Sequence, residues 1–381
     1  VSFKVNLSHL LLFLLLVGSA LYIDIGFQLK PYFVLAFLAM MTCLVSILNT
    51  LYIKHALFSI LSFILFVYFL YKAYESSSLF DHLYVFNILL APVVAQVSGR
   101  VEARRLKYYL YIYIALTLVA FTAELLYRLT HPVVGGQLLS WDDYRMSFYA
   151  LKISSLMYSN SNGIGMHALI TICFIFSIKY SIRSGEAIPF SSKDHASLNF
   201  SILLTTFFLI FSFSRAAMLV LVFVIALYGF MVSKRFRLLS YVLLPVVMIL
   251  LYQFYKSYIK MDGSFLTKFE ISINLLNYFS EASFLQLFLG NNLDDPKLIF
   301  DGFSGYYGHT HYFDLAFKGG LVGSFLYLFL LLMPFFKCGK SYTFFFVAFF
   351  LLGLSNIRIF GHYIFLILPM YLVYLGKKNG D

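Results

Sequence analysis

The sequence predicts an all-α, polytopic integral membrane protein, a single helical domain over residues 1–381 with about twelve transmembrane helices and one long outer loop. Three observations predict it. Of 381 residues, 61% are hydrophobic and 12% charged, with a mean hydropathy of +0.85, which leaves no room for a large soluble domain. The apolar residues come in runs close to the roughly 20 residues that cross a bilayer. With the N-terminus inside, sixteen of the 28 lysines and arginines but only four of the 17 acids fall on the inner side, as the positive-inside rule requires. Topology thereby explains the net charge of +11, and no nucleic-acid partner is expected.

Taken in order, the expected spans are 5–23, 31–51, 56–74, 79–97, 108–127, 157–178, 199–213, 215–232, 238–255, 317–336, 341–355 and 361–376. The first run follows Lys4 without a small-residue cleavage site and reads as a retained helix. An even count returns the C-terminus to the cytoplasm beside the N-terminus. Two outer connections exceed a tight turn. The smaller, 128–156, carries His131-Pro132, Gly135-Gly136, Trp141, Asp142, Asp143 and Arg145. The larger, 256–314, contains Phe265, Phe269, Ile273 and Leu276 at helical spacing, the pattern of an ordinary interfacial helix or of a lid. Turn residues follow at Gly290-Asn291-Asn292 and Asp294-Asp295-Pro296. Cys43, Cys173 and Cys338 are too far apart for a disulfide or metal-ligand spacing, and neither a metal nor another cofactor is expected.

The groups suited to chemistry cluster on the outer side. The stretch Gly308 to Gly323 sets His309, His311, Tyr312 and Asp314 at the mouth of an apolar helix whose Gly319, Gly320 and Gly323 allow close backbone approach by another helix or a lipid chain. His309 suits a general base, since histidine titrates near neutrality. His311 is its rival, and Tyr312 and Asp314 are candidates for orienting a ring or contacting an acceptor. Arg215, in Ser212-Phe213-Ser214-Arg215-Ala216-Ala217, separates two apolar runs at the outer face. A guanidinium there suits bidentate binding of a diphosphate at membrane level, and taken alone equally suits a snorkelling cation. Arg145 and Arg358 fall on the same side and complete a candidate diphosphate site. Glu124, in the outer part of a span, is a buried acid suited to pairing with an arginine.

These segments resemble the O-antigen polymerase and O-antigen ligase superfamily of bacterial envelope glycosyltransferases. Ser212 to Ala217 is similar to its Ser/Thr-x-Ser/Thr-Arg-small-small segment. His309-Thr310, followed after nine residues by Gly320-Leu321-Val322-Gly323, is similar to its His-Asn-x9-Gly-x-x-Gly motif, and Tyr158 to Gly163 is a weaker match. The resemblance implies a GT-C-like fold in the bacterial inner membrane. It also implies metal-independent transfer of an oligosaccharide from undecaprenyl diphosphate to an acceptor hydroxyl at the periplasmic face, with membrane lipids and a chain-length regulator as partners. A polymerase uses the next lipid-linked repeat unit as acceptor, whereas a ligase uses lipid A-core. Thr310, in place of Asn, Gln or Ser, and Ser324-Phe325, in place of a threonine pair, depart from the ligase pattern. A lipid-linked oligosaccharide flippase, from another functional class, would also have about twelve spans.

Overall fold

Local chemistry sets some of the helix boundaries in the computed structural model. It describes residues 7–20, 22–23, 30–50, 55–74, 76, 83–131, 133–134, 137–138, 155–158, 162–185, 190–241, 249, 252–253, 273, 276–293, 311–354 and 359–375. Helix α1 spans Leu7–Ala20 and α2 spans Pro31–Thr50. Pro31 opens α2 where its missing N–H is harmless. Helix α3 is Ala56–Tyr74, and a 3-10 turn, Phe86–Leu89, leads into α4, Leu90–Gly99. Next come α5 (Ala103–Thr130), α6 (Asn162–Ser184), α7 (His195–Phe211) and α8 (Arg215–Val232). The six-residue α9, Phe284–Leu289, is nucleated by a reciprocal capping box between Ser283 and Gln286. Helices α10 (His311–Cys338), α11 (Thr343–Gly353) and α12 (His362–Met370) complete the series. The only strands among the described residues are an antiparallel pair of two residues each, Val133–Val134 and Gln137–Leu138.

Among the described residues, five helical stretches are long and apolar enough to cross a membrane: Ala56–Tyr74, Arg105–Thr130, Asn162–Ser184, Arg215–Val232 and His311–Gly353. Shorter apolar helices accompany them at Leu7–Ala20, Pro31–Leu44, Leu83–Gly99, His195–Phe211 and His362–Leu375. The expected spans therefore meet helices at eleven places, while the expected span 238–255 lies mostly outside the described residues. Helix α6 is central, with 83% of its apolar window buried, whereas α8 is peripheral with 22%. Small residues at Gly165, Ala168, Ser177 and Ser181 let neighbours close on α6. Leu203, Val222, Phe223, Phe325 and Phe63 instead point outward, as side chains facing lipid would.

Side-chain contacts bring several helix ends together at one end of the bundle. The Arg128 side chain at the end of α5 donates to Phe211 O at the end of α7 (2.7 Å). His167 near the start of α6 lies against His362 and Tyr363 at the start of α12. Phe69 near the end of α3 packs edge-on against Phe360, and His311 at the start of α10 packs on Phe349 near the end of α11. The opposite end holds Lys107, paired with Asp194 at 2.9 Å, and His9 beside Tyr109. Burial alone would raise the Asp194 carboxyl, but hydrogen bonds from Ser191, Lys107 and Tyr111 hold it down at about 2.

Helix α10 is not continuous. Gly320 has φ 55° and ψ −161°, a conformation essentially confined to glycine. Gly290, just beyond α9, has φ 69°, and the two glycines meet backbone to backbone. A Cβ on Gly320 would press on Gly290 N and sit 2.6 Å from Phe288 O; one on Gly290 would sit 2.5 Å from Lys318 O. Asn291 N donates to Phe317 O (2.8 Å), and the Tyr68 hydroxyl is shared between Leu289 O (2.6 Å) and Gly319 O (2.8 Å). The kink thus exposes α10 carbonyls to partners outside the helix. What approaches the glycines is protein: the 288–291 backbone at Gly320, and Tyr68 and Phe69 of α3 at Gly319 and Gly323. Of the expected amphipathic segment, Phe265 and Phe269 lie outside the described residues, while Ile273 and Leu276 are exposed.

Candidate functional site

Arg215 occupies the first position of α8, and the turn before it has an unusual backbone. Phe213 has φ 54°, a strained conformation for a bulky residue. Around it, Ser212 Oγ donates to Leu209 O (2.6 Å) and Phe213 N donates to Ile210 O (3.0 Å). Ser212 and Ser214 are buried because Gly165 of α6 packs against them: a Cβ on Gly165 would lie 2.6 Å from both Ser212 Oγ and Ser214 Cβ, and 3.2 Å from Ala217 Cβ. Ser212, Ser214 and Ala217 of the Ser-Phe-Ser-Arg-Ala-Ala segment are therefore accounted for by packing. Arg215 itself is exposed. A cation at a helix N-terminus opposes the macrodipole and gains nothing from it. Guanidinium and dipole together make this point attractive to an anion.

A buried ion pair holds the turn in place. Glu124 and Arg128, one helical turn apart on α5, lie 3.6 Å apart with side chains 0% and 3% exposed. Arg128 satisfies Phe211 O, an orphan carbonyl at the end of α7. Glu124 Oε2 accepts from the N–H groups of Leu156 and Met157, both at 2.8 Å. The pair therefore joins the Arg215 turn to the residues leading into α6. Lys30 donates to Met157 O and lies 3.8 Å from the centre of the Tyr22 ring. Tyr22 stacks on His362 at 4.0 Å, and His167 bonds the Tyr113 and Tyr158 hydroxyls at 2.8 and 2.9 Å.

Arg128→Ala would leave the Glu124 charge buried and unpaired and strip a cap from α7, so it is expected to lower stability by about 3–5 kcal/mol. Thermal unfolding of the purified protein in detergent measures this. Unchanged unfolding would mean that the pair does not hold these segments.

Of the expected site residues, His309, Arg145 and Arg358 lie outside the described residues. His311 is buried, 1% exposed, with its ring among Tyr312, Tyr327 and Phe349. The Tyr312 hydroxyl donates to Phe350 O (2.8 Å), and its ring fills the space beside Gly353. Asp314 pairs with Lys318 one turn along at 3.0 Å. The segment that follows His309 and the turn that carries Arg215 belong to the same end of the bundle. Lys30, Arg128, His167, His362 and Lys72 were not singled out from the sequence. Their signal was present, since Lys72, His167 and His362 are ionisable residues inside apolar runs, where such groups carry a functional presumption.

Among the described residues, no group of three or more His, Cys, Asp and Glu side chains is arranged to hold a metal ion. No protein-family model matches the chain, and no curated protein matches it in sequence.

Proposed function

We propose that this chain is an O-antigen polymerase of the bacterial inner membrane, with about twelve transmembrane helices, a GT-C-like fold, cytoplasmic termini and a periplasmic active site. The observation that carries the reading is Arg215, an exposed guanidinium at a helix N-terminus after a strained turn, at the same end of the bundle as the segment following His309. Lys107 at the opposite end, beside the basic cluster of Arg104 and Arg105 in sequence, supports the cytoplasmic assignment of that end. The departures at Thr310 and Ser324-Phe325 favour a polymerase over a ligase.

In the proposed reaction the acceptor sugar hydroxyl attacks the anomeric carbon of the undecaprenyl-diphosphate-linked oligosaccharide. His309 takes the hydroxyl proton as the carbon–oxygen bond to the diphosphate breaks. Undecaprenyl diphosphate departs with both bonding electrons, its charge met by Arg215 with Arg145 and Arg358. His311, Tyr312 and Asp314 shape the surroundings of the base.

Lipopolysaccharide from a deletion strain tests the reading. A single repeat on the core is expected. Bare core with accumulating lipid-linked polymer would identify a ligase instead, and single lipid-linked units held at the cytoplasmic face would identify a flippase. Within a polymerase, Arg215→Lys keeps the charge but loses the planar fork, so transfer should fall about 10²-fold at normal protein level. Wild-type polymer from that variant would reduce Arg215 to a membrane anchor.

A further inference from the structure

A second candidate binding feature stands beside the Gly290–Gly320 contact. Tyr71 and Lys72 at the end of α3, Leu285, Gln286 and Leu289 of α9, and Asn292 enclose a cleft of about 340 Å³ together with Gly290 and Asn291. This is at the small end of the range for ligand cavities, about 300–1,000 Å³, and suits one or two sugar units. Among the described residues its lining carries one positive charge and no carboxylate. The Lys72 side chain is buried, 6% exposed, and donates to Gly290 O at 3.1 Å. Tyr71, by contrast, is 60% exposed at the rim, and Leu285 is 66% exposed.

The chemistry of this lining is mixed in a specific way. The ammonium is a point charge that attracts a carboxylate or a phosphate. Carboxamides both donate and accept, which matches the hydroxyls of a sugar. The tyrosine ring presents an apolar face with a polar tip, suited to covering the C–H face of a pyranose. We infer that the cleft bounded by α3 and α9 binds an acidic sugar unit, a hexuronate or a phosphorylated hexose, of the glycan being transferred. This deepens the polymerase reading and rests on it for the source of the sugar. The cleft shares Gly290 with the α10 kink, so a sugar bound there lies against the helix that begins directly after the His309 segment.

The test reads binding without turnover. Full-length protein in nanodiscs is probed by saturation-transfer NMR with D-glucuronate, glucose 6-phosphate, glucose and inorganic phosphate. Glucuronate or glucose 6-phosphate should bind at least about tenfold more tightly than glucose. Gln286→Glu keeps the capping box, since glutamate serves at that position as glutamine does, but adds a negative charge to the lining, so it should weaken the acidic sugars about tenfold more than it weakens glucose. Lys72→Met should erase the preference for acidic sugars, and Lys72→Arg should retain it. Equal binding of acidic and neutral sugars, indifference to Gln286→Glu, or displacement by inorganic phosphate as effective as by either acidic sugar would each overturn the proposal. If acidic sugars bind as expected while the protein transfers no lipid-linked repeat unit, the polymerase reading fails and the cleft stands. If transfer proceeds but no sugar preference exists, the cleft proposal fails and the polymerase reading stands.

Discussion

Gly320→Ala is expected to lower stability by at least about 3 kcal/mol, or to abolish accumulation of folded protein. Two costs add. Any L-residue at φ 55° and ψ −161° is strained by on the order of 1–3 kcal/mol. The new methyl group also meets backbone and not a movable side chain, at Gly290 N and 2.6 Å from Phe288 O. Relief requires α9 to separate from α10, which breaks the Asn291 N to Phe317 O bond and the Tyr68 bridge. Gly339 provides the control, since its φ is 52° and a methyl group added there would have nothing within 4 Å. Gly339→Ala should therefore show the strain alone. Thermal unfolding of both variants in detergent decides the matter, and equal losses would mean that the Gly290–Gly320 crossing carries no weight.

His309→Ala is expected to reduce polymer formation by about 10² to 10⁴, the usual worth of a general base. His311→Ala should act on stability instead. Its ring is packed against Tyr327 and Phe349, so truncation empties a core position at a cost on the order of 2–5 kcal/mol, and the folded fraction should retain activity. Turnover of purified lipid-linked substrate, normalised to folded protein, separates the two effects. A folded but inactive His311→Ala beside an active His309→Ala would reverse the assignment. Activity in both would leave positioning and the arginines to carry the reaction.

Part of the surroundings of Arg215 is legible in the sequence. Glu124 reads there as a buried acid suited to an arginine, and it pairs with Arg128, which sits one turn away on the same helix. That pairing is local, and i, i+4 spacing can be read along a sequence. The small residues around Arg215 are legible as a motif, but their reason is not. Gly165 lies some fifty positions away in sequence, and only the packing of α6 on the α7–α8 turn shows why serine and alanine are needed there. His311 is the rival of His309 in the sequence, yet at the start of α10 it is buried among aromatic rings.

Composition and pattern were enough to set the all-helical class and the places of the described apolar helices. Hydropathy and charge act locally, so apolar runs near 20 residues mark where a chain must satisfy its own backbone hydrogen bonds in lipid. Which helix ends meet was settled in three dimensions: the break at Gly320 against Gly290, the clamp of Arg128 on Phe211 O, and Lys30 on Met157 O. Each of these contacts joins residues far apart in the chain, or bends a helix whose apolar pattern runs on unbroken. Their energies depend on what stands opposite, and no local pattern of residue types encodes that.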